Sequence, residues 1–383
     1  MPDIIFNPDQ VAAIEQAVQW YRDFRDGKTK KIFFALGGYA GTGKTTVARH
    51  IANLCAPPTR VKYIAPTGKA AARLRDKGCV GAETVHRFLY DYLGSDFYGD
   101  PEFQTKASLD EAPLLIICDE ASMIGERMGG DIISKRIPVL FLGDLGQAEP
   151  VGDAPFLDPE DFSVNMTNIE RNKGNIVRAS FYVRTGGRLP AREYDDVKVY
   201  DRRYTMNDIE NHIGEDSVML CSRNSTRQLL NHKARIVLRV NETLLPEIGE
   251  KVICTFNQRK NGIYNGEQFI LESLRQLEET EMSDTDDEFM MMAGLRSLSN
   301  GEKRTAKFNS SCFIAPTEDQ RYAAYRKLGG FDFGYALTIH KSQGSEWPRV
   351  MLLEETLKNT SYARLQYTGI TRAIDHLTVF RGK

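Results

Sequence analysis

The stretch that decides the fold is Gly38-Tyr39-Ala40-Gly41-Thr42-Gly43-Lys44-Thr45, which fits the phosphate-loop pattern G-x-x-x-x-G-K-[ST]. An apolar run at residues 31–36 precedes it and predicts a buried strand, and residues 46–54 continue it with helical spacing. Strand, glycine-rich turn and helix suit phosphate, because the glycines bring backbone N–H groups close and the helix N-terminus adds positive charge. A turn that binds nothing is the weaker alternative. The predicted nucleotide-binding residues here are Gly38, Gly41, Thr42, Gly43, Lys44, Thr45 and Thr46.

An acidic pair follows a fully apolar stretch further along the chain. Residues 114–118 predict a buried strand, and Asp119 and Glu120 come directly after it. Two adjacent carboxylates at the end of a core strand are costly to bury unless a cation neutralises them. Downstream of a phosphate loop, the pair predicts a Walker B element. Lys44 then reaches the β- and γ-phosphates, Thr45 and Asp119 hold Mg²⁺, and Glu120 polarises the attacking water.

The composition of the 383 residues is that of a globular protein with two or three domains, 41% hydrophobic and 27% charged. A net charge of −2 neither supports nor excludes nucleic acid as a ligand. The six cysteines stand singly, which indicates neither a zinc site nor a disulfide framework and fits a reducing cytosol. The sequence shows no secretory leader and no apolar run of the ~20 residues that a membrane helix needs. We therefore expect a cytoplasmic protein without a membrane partner.

Gln10 carries two interpretations. Asn7 and Pro8 predict the start of a helix, with Asn7 as its cap. Gln10 lies three residues past that cap, which is typical of a capping-box glutamine. A carboxamide also donates and accepts at once, so Gln10 is also the kind of residue that pairs with adenine, although this residue alone favours the capping box.

Two further loops lie at predicted strand ends, where ligands of α/β sheets bind. The strand at residues 60–65 leads to Thr67 and Lys69, which suit phosphate contacts but also fit an ordinary helix cap with a solvated lysine. The buried strand at residues 138–142 leads to Gln147. Because its loop is on the same sheet edge, Gln147 is placed to sense the γ-phosphate.

The remaining patterns divide the chain. Residues 88–101, rich in aromatics and turn residues, predict an inserted hairpin whose rings either stack on bases or form a small core. Glycine, proline and charge concentrate around residues 184–201, which predicts a domain boundary. Two Asn-Gly pairs in residues 261–266 predict tight turns of a β-subdomain. Buried strands at 217–221 and 349–353 predict a second sheet without a phosphate loop, hence two lobes and one nucleotide site.

The ordered set of motifs resembles that of superfamily-one helicases. It is most similar to the RecD-like, 5′→3′ branch that includes the phage Dda helicase. The resemblance covers nearly the whole chain, and the set is far more specific than any single motif. The matching segments are residues 7–10, 38–45, 65–71, 84–86, 119–120, 143–151, 338–344 and 367–373.

The resemblance implies roles for individual residues. Gln10 becomes an adenine contact and Glu346 a ribose contact. Arg171 becomes a phosphate-sensing arginine, although Asn172 replaces the family's glutamine beside it, and Arg372 becomes the arginine finger. The residues implied to face single-stranded DNA are Pro66, Thr67, His86, Thr338 and His340, with Phe97 and Tyr98 in the strand-separating pin.

The implied fold is α/β, with two RecA-like parallel-sheet lobes, an inserted hairpin and a small SH3-like β-subdomain. The first lobe is expected at residues 1–86 and 109–187, the pin at 87–108, the second lobe at 188–248 and 331–383, and the β-subdomain at 249–330. This β-subdomain is short beside that of Dda.

The implied function is an ATP-dependent DNA helicase in replication, recombination or repair that moves 5′→3′ on single strands, using ATP and Mg²⁺. It implies a monomer that binds single-stranded DNA and its junctions with duplex, with single-strand binding protein or replisome components as further partners. It would work in the cytoplasm, or the host cytoplasm if the source is a phage. The alternatives are a single-strand-stimulated ATPase that remodels nucleoprotein without unwinding, and a regulatory subunit of a recombination complex.

Overall fold

The structure, a computed structural model, describes residues 5–95, 101–109, 111–150, 152–169, 174–240, 244–255, 258, 261–278, 289–314, 330–358 and 360–382. The chain forms two compact units. The first comprises Met1–Leu93, Phe103–Arg188 and Thr360–Thr371, and the second Gly94–Glu102, Leu189–Asn359 and Arg372–Lys383. Within the described residues, every helix is too short or too polar to cross a bilayer.

The first unit is built on a parallel sheet. Its strands are β1 (Phe33–Gly38), β2 (Val61–Ala65), β3 (Glu83–Thr84), β6 (Leu115–Cys118), β7 (Val139–Gly143) and β8 (Phe162–Met166). The hairpin strands β4 (Tyr90–Ser95) and β5 (Pro101–Thr105) are divided between the two units, because Gly94–Glu102 groups with the second. The sheet order is β3-β2-β6-β7-β1-β8, and β4 pairs with β5 apart from it. Every residue of β6 and β7 is buried, as expected for parallel strands covered on both faces.

Helices cover this sheet. They span Pro8–Arg25, Lys44–Cys55, Gly68–Asp76, Val85–Leu89, Glu126–Ser134, Asn175–Arg184 and Tyr362–Ile370. The first begins as predicted, because the Asn7 side chain accepts from the Gln10 N–H at 3.0 Å and Pro8 occupies its first turn. Its apolar face, with Ala13 and Ala17, packs into one core with Ile51 of the helix that follows β1. This packing fixes the loop between β1 and that helix.

The second unit contains another sheet, which is parallel except at one edge. The strands of the second unit, which form this sheet and a separate antiparallel one, are β9 (Arg192–Glu193), β10 (Val197–Tyr200), β11 (Ser217–Cys221), β12 (Lys251–Cys254), β13 (Gln268–Gln276), β14 (Met290–Ser297), β15 (Lys303–Asn309), β16 (Phe331–Phe333), β17 (Ala336–Thr338), β18 (Trp347–Glu354) and β19 (Ala373–Arg381). The mainly parallel sheet has the order β17-β11-β18-β19-β10-β9, and only the pairing of β9 with β10 is antiparallel among its described pairs. The helices of the second unit are Met206–Glu210, Asn224–Val237, Ser311–Ile314 and Ile339–Ser342.

An antiparallel sheet of order β15-β14-β13-β12-β16 forms the accessory part of the second unit. Gly262 and Gly266 of the two Asn-Gly pairs have positive φ angles of 66° and 86°, as such turns require. The predicted end of this subdomain at residue 330 is wrong. The strand Phe331–Phe333 pairs with β12 and completes the sheet.

The predicted assignment of the whole segment 331–383 to the second lobe also needs correction. Thr360–Thr371, which holds the helix Tyr362–Ile370, groups with the first unit. The reason is a set of hydrogen bonds: the Tyr367 hydroxyl donates to Asp144, and the Thr368 hydroxyl accepts from the Ala148 N–H. Sequence order could not reveal these contacts, because the strands on either side of this helix belong to the second unit.

Candidate active site

The phosphate loop connects β1 to the helix Lys44–Cys55. Gly41 and Gly43 have φ angles of 83° and 82°, a region that glycine enters without steric cost. Gly43 caps the helix without a side-chain hydrogen bond, so the first N–H groups remain available to an anion. The Lys44 Nζ donates to the carbonyl oxygens of Gly38 at 2.6 Å and Tyr39 at 3.0 Å. The loop therefore combines helix N–H groups and an ammonium, as phosphate binding requires.

Oxygen ligands meet beside this loop. The Thr45 hydroxyl donates to Asp119 Oδ2 at 3.3 Å, although 74 residues separate the two in sequence. Hydroxyl and carboxylate oxygens are the ligands that Mg²⁺ prefers, so the donor set fits this ion. Glu120 follows with a left-handed backbone, φ 54°, and its N–H donates to Asp119 Oδ1 at 2.9 Å. A non-glycine residue in that region is strained, and such strain clusters at functional sites.

The structure confirms the capping-box interpretation of Gln10. Its Oε1 accepts from the Asn7 N–H at 3.0 Å, which completes the capping box. Its Nε2 donates to the carbonyl of Thr42 at 3.0 Å. A Cβ added to Gly43 would lie 2.8 Å from this nitrogen, so the amide packs tightly on the loop. Gln10 thus braces the phosphate loop, and its adenine contact stays a prediction.

Gln147 lies in the loop after β7, with 5% of its surface exposed. Its Nε2 is 3.5 Å from Asp144 Oδ2, and its buried Oε1 has no hydrogen-bond partner among the described residues. Ser122, Asp144 and Gln147 line one cavity of about 60 Å³, which has room for a water molecule. An unpaired amide oxygen beside such a cavity fits a residue that orients water.

Two contacts at the phosphate loop escaped the sequence patterns. The buried hydroxyl of Tyr367 accepts from the Ala40 N–H at 3.2 Å. The Arg184 guanidinium stacks on the Tyr39 ring, with 3.2 Å between its carbon and the ring centroid. Neither partner is near in sequence, so no local pattern could have paired them. Only the position of Tyr367 at the start of the 367–373 motif was a signal.

Three of the residues predicted to face DNA, Pro66, Thr67 and His86, lie in the first unit. Pro66 and Thr67 follow β2, and the Thr67 hydroxyl caps the helix Gly68–Asp76 by accepting from the Ala70 N–H at 3.2 Å. The ring of His86 lies 5.6 Å from that of Phe103, centroid to centroid. The helix-cap interpretation of Thr67 is thus observed, and the DNA contacts of these residues remain predictions.

In the second unit, Thr338 caps the helix Ile339–Ser342 by accepting from the Lys341 N–H at 3.3 Å. Burial lowers the pKa of His340 in that helix. Arg372 is 2% exposed, and its guanidinium donates to the Ser345 carbonyl at 3.2 Å, next to the half-buried Glu346. The ribose, DNA and arginine-finger roles of these residues stay predictions.

Three predicted site residues lie outside the described residues: Arg171, Phe97 and Tyr98. Thr46 is exposed in the first turn of the helix that follows the phosphate loop. The first unit thus brings Gln10, Lys44, Thr45 and Asp119 together around one loop.

Comparison with protein-family models decides the family. Residues 6–198 match an AAA domain, and residues 333–380 match a UvrD-like helicase C-terminal domain. The chain belongs to the superfamily-one helicases. The predicted resemblance is thereby confirmed, and this superfamily-one helicase has the nucleotide loop in its AAA part.

Named relatives of this superfamily-one helicase agree with that assignment. The ATP-dependent RecD2 DNA helicase of Deinococcus radiodurans is 29% identical over 89% of this chain and 46% of its own length. The ATP-dependent DNA helicase dda of Enterobacteria phage T4 is 30% identical over 42% of this chain and 39% of its own length. This chain therefore spans less than half the length of either curated relative.

A solved structure extends the comparison to the fold. The Pif1 helicase from Bacteroides, in complex with ADP-AlF3 and single-stranded DNA, aligns with a TM-score of 0.56 and 15% identity. The alignment covers 98% of this chain and 92% of that one. At this identity the likeness concerns the fold, and the predicted α/β class with RecA-like lobes is confirmed.

Proposed function

We propose that this protein is an ATP-dependent DNA helicase that moves 5′→3′ on single-stranded DNA and unwinds duplex in replication, recombination or repair. One observation carries the proposal: the phosphate loop, its Lys44 ammonium and the Thr45–Asp119 oxygen pair converge at one end of a parallel sheet. The named activities of the RecD2 and Dda relatives support it. The Bacteroides Pif1 complex, which contains single-stranded DNA, supports the choice of substrate.

The loop residues account for nucleotide binding. Lys44 exchanges the carbonyl oxygens of Gly38 and Tyr39 for phosphate oxygens, which gain a charge-assisted hydrogen bond. Thr45 and Asp119 would hold Mg²⁺, which when bound neutralises the charge of the phosphates. The helix N-terminus behind Gly43 adds partial positive charge to the same place.

The hydrolytic step falls to Glu120 and Gln147. Glu120 accepts the proton of the attacking water, and Gln147 orients that water through its unpaired Oε1. Arg372 and Arg171 are assigned to the charge that develops on the γ-phosphoryl, a contribution of ~10³-fold or more for such arginines. Pro66, Thr67, His86, Thr338 and His340 are assigned to the DNA strand. The proposal takes the protein as a cytoplasmic monomer.

The experiment is an ATPase assay with and without single-stranded DNA, on wild type and Glu120→Gln. Wild type should hydrolyse ATP faster with DNA, and Glu120→Gln should keep nucleotide binding while turnover falls ~10²-fold or more, since a general base is lost. Lys28→Gln serves as the matched control, because Lys28 is an exposed lysine that forms an ion pair with the exposed Asp26. Absence of DNA-stimulated hydrolysis in wild type would contradict the proposal.

A further inference from the structure

Tyr367 connects two loops of the first unit through its hydroxyl. The oxygen accepts the Ala40 N–H of the phosphate loop at 3.2 Å and donates to Asp144 Oδ2 at 2.8 Å. Sequence distances of 327 and 223 residues separate Tyr367 from these partners. Its side chain is 1% exposed, so water does not compete for either bond. The hydroxyl therefore links the phosphate loop to the loop after β7.

Asp144 connects the Tyr367 hydroxyl to Gln147 through hydrogen bonds. The carboxylate is 1% exposed and receives three donors: the Tyr367 hydroxyl, the Gly146 N–H at 2.9 Å and the Gln147 amide at 3.5 Å. A buried carboxylate needs such donors, because an unpaired buried charge is strongly destabilising. The three bonds fix the turn that presents Gln147.

The Tyr367 ring and the Thr368 hydroxyl also contact the loop after β7. A Cβ added to Gly146 would lie 2.7 Å from the Tyr367 ring, so only glycine lets the ring approach this closely. The Thr368 hydroxyl accepts the Ala148 N–H at 2.8 Å. The helix Tyr362–Ile370 thus holds the Gln147 turn on both sides, by hydrogen bonds and by ring contact.

We propose that Tyr367 is a positioning residue for ATP hydrolysis, whose hydroxyl sets the distance between the phosphate loop and the Gln147 amide through Asp144. This inference rests on the proposed function, because it presumes that Gln147 acts on the nucleotide. The hydroxyl bridges backbone on one side and carboxylate on the other. A side chain that keeps the ring but lacks the hydroxyl should bind nucleotide normally and hydrolyse it slowly.

The Tyr367 hydroxyl can donate to Asp144 only while it keeps its proton. Burial and the nearby Asp144 raise the pKa of Tyr367 well above its ordinary value. The hydroxyl therefore keeps its proton and remains a donor to Asp144 at neutral and mildly alkaline pH.

The test compares Tyr367→Phe with wild type in DNA-stimulated ATP hydrolysis, with kcat and KM measured separately. We expect kcat to fall ~10-fold to 10²-fold, because misplacing an orienting group by about 1 Å has such effects. The KM for ATP and the affinity for a fluorescent ATP analogue should stay within about 3-fold, since uniform binding is untouched. A purely structural role would lower the unfolding temperature without this division between kcat and KM.

Tyr21→Phe is the matched control. Tyr21 is a buried tyrosine of the same unit whose hydroxyl lies 3.4 Å from the Leu114 carbonyl. It should lower the unfolding temperature less than Tyr367→Phe does, because its hydroxyl donates to no carboxylate, and it should leave kcat unchanged. Equal losses of kcat in both variants would overturn the inference.

Gly146→Ala gives an independent test, even if Tyr367→Phe does not fold. Its new Cβ should displace the ring and lower kcat to a similar extent, and adding it to Tyr367→Phe should lower kcat little further, because coupled residues are non-additive. Unchanged kcat in either folded variant would overturn the inference while wild-type hydrolysis upheld the proposed function. Absence of hydrolysis in wild type would overturn both.

Discussion

Two lysines, one in each unit, each donate to a pair of backbone carbonyls at nearly the same distances, but they differ in burial. Lys44 donates to the carbonyl oxygens of Gly38 and Tyr39, at 2.6 and 3.0 Å. Lys251 donates to those of Gly214 and Ser217, at 2.5 and 2.9 Å. Both ammonium groups are thus held by a pair of backbone carbonyls near the start or end of a parallel strand.

Burial separates the two lysines. Lys44 is half-buried and stands in a glycine-rich loop, so it can exchange carbonyl oxygens for phosphate oxygens. Lys251 is 1% exposed, and its burial lowers its pKa from 10.5 to about 8. Its ammonium joins β12 of the accessory sheet to the residues at the start of β11. Under the proposed function, similar hydrogen bonds therefore hold a phosphate-binding lysine in one unit and a structural lysine in the other, and the difference lies in burial.

Replacing Lys44 should have the largest effect. Lys44→Ala should lower DNA-stimulated ATPase ~10³-fold or more, because the cation on the transferring phosphoryl is lost. One of its carbonyl partners, Tyr39, is half-buried and the other, Gly38, is buried, so the lost hydrogen bonds should lower the unfolding free energy by about 1 kcal/mol. Steady-state hydrolysis and urea unfolding measure the two quantities. Undiminished turnover would remove the phosphate loop from the mechanism.

Arg372 tests whether burial alone marks a structural cation. It is 2% exposed, like Lys251, yet the family resemblance assigns it to the γ-phosphoryl. If that role holds, Arg372→Lys should lower kcat ~10³-fold while DNA affinity, measured by fluorescence anisotropy, stays close to wild type. A variant that loses stability but keeps its kcat would place Arg372 with Lys251 instead.

Replacing Lys251 should change the pH dependence of the unfolding free energy and leave kcat unchanged. Its pKa is about 8 in the folded state and 10.5 in the unfolded chain, so between these values the unfolded chain binds more protons. The unfolding free energy of wild type should therefore rise with pH relative to Lys251→Met, by about 2 kcal/mol between pH 7.5 and 9.5. Urea titrations of both proteins at the two pH values give the difference. A difference that stays constant or falls with pH would contradict the assigned burial effect.

The contrast between Lys44 and Lys251 also explains which features could be predicted from the sequence. The placement of Lys44 and Thr45 was predictable because their strand, turn and helix are contiguous, and that of Asp119 because it directly follows a fully apolar strand. The capping box of Gln10 was predictable for the same local reason. Lys251 and Tyr367 carried no such signal, since their partners are set by packing between distant segments.

The division of the chain into units also depends on tertiary contacts that the sequence does not show. The parallel sheets and the accessory β-sheet follow from apolar runs and Asn-Gly turns, and composition predicted a boundary around residues 184–201, where the first unit gives way to the second after Arg188. The grouping of Thr360–Thr371 with the first unit was not predictable, because it depends on hydrogen bonds from Tyr367 and Thr368. Local patterns report elements, whereas the assignment of an element to a unit depends on its tertiary contacts.

A comparison of tailed duplexes tests whether ATP drives this protein 5′→3′ along single-stranded DNA, as proposed. Duplexes that carry a single-stranded tail at the 5′ or the 3′ end would be mixed with wild type and ATP, and strand release followed by fluorescence. We expect ATP-dependent release from the 5′-tailed duplex and little from the 3′-tailed one. Release from the 3′-tailed duplex alone, or release that does not require ATP, would contradict the proposal.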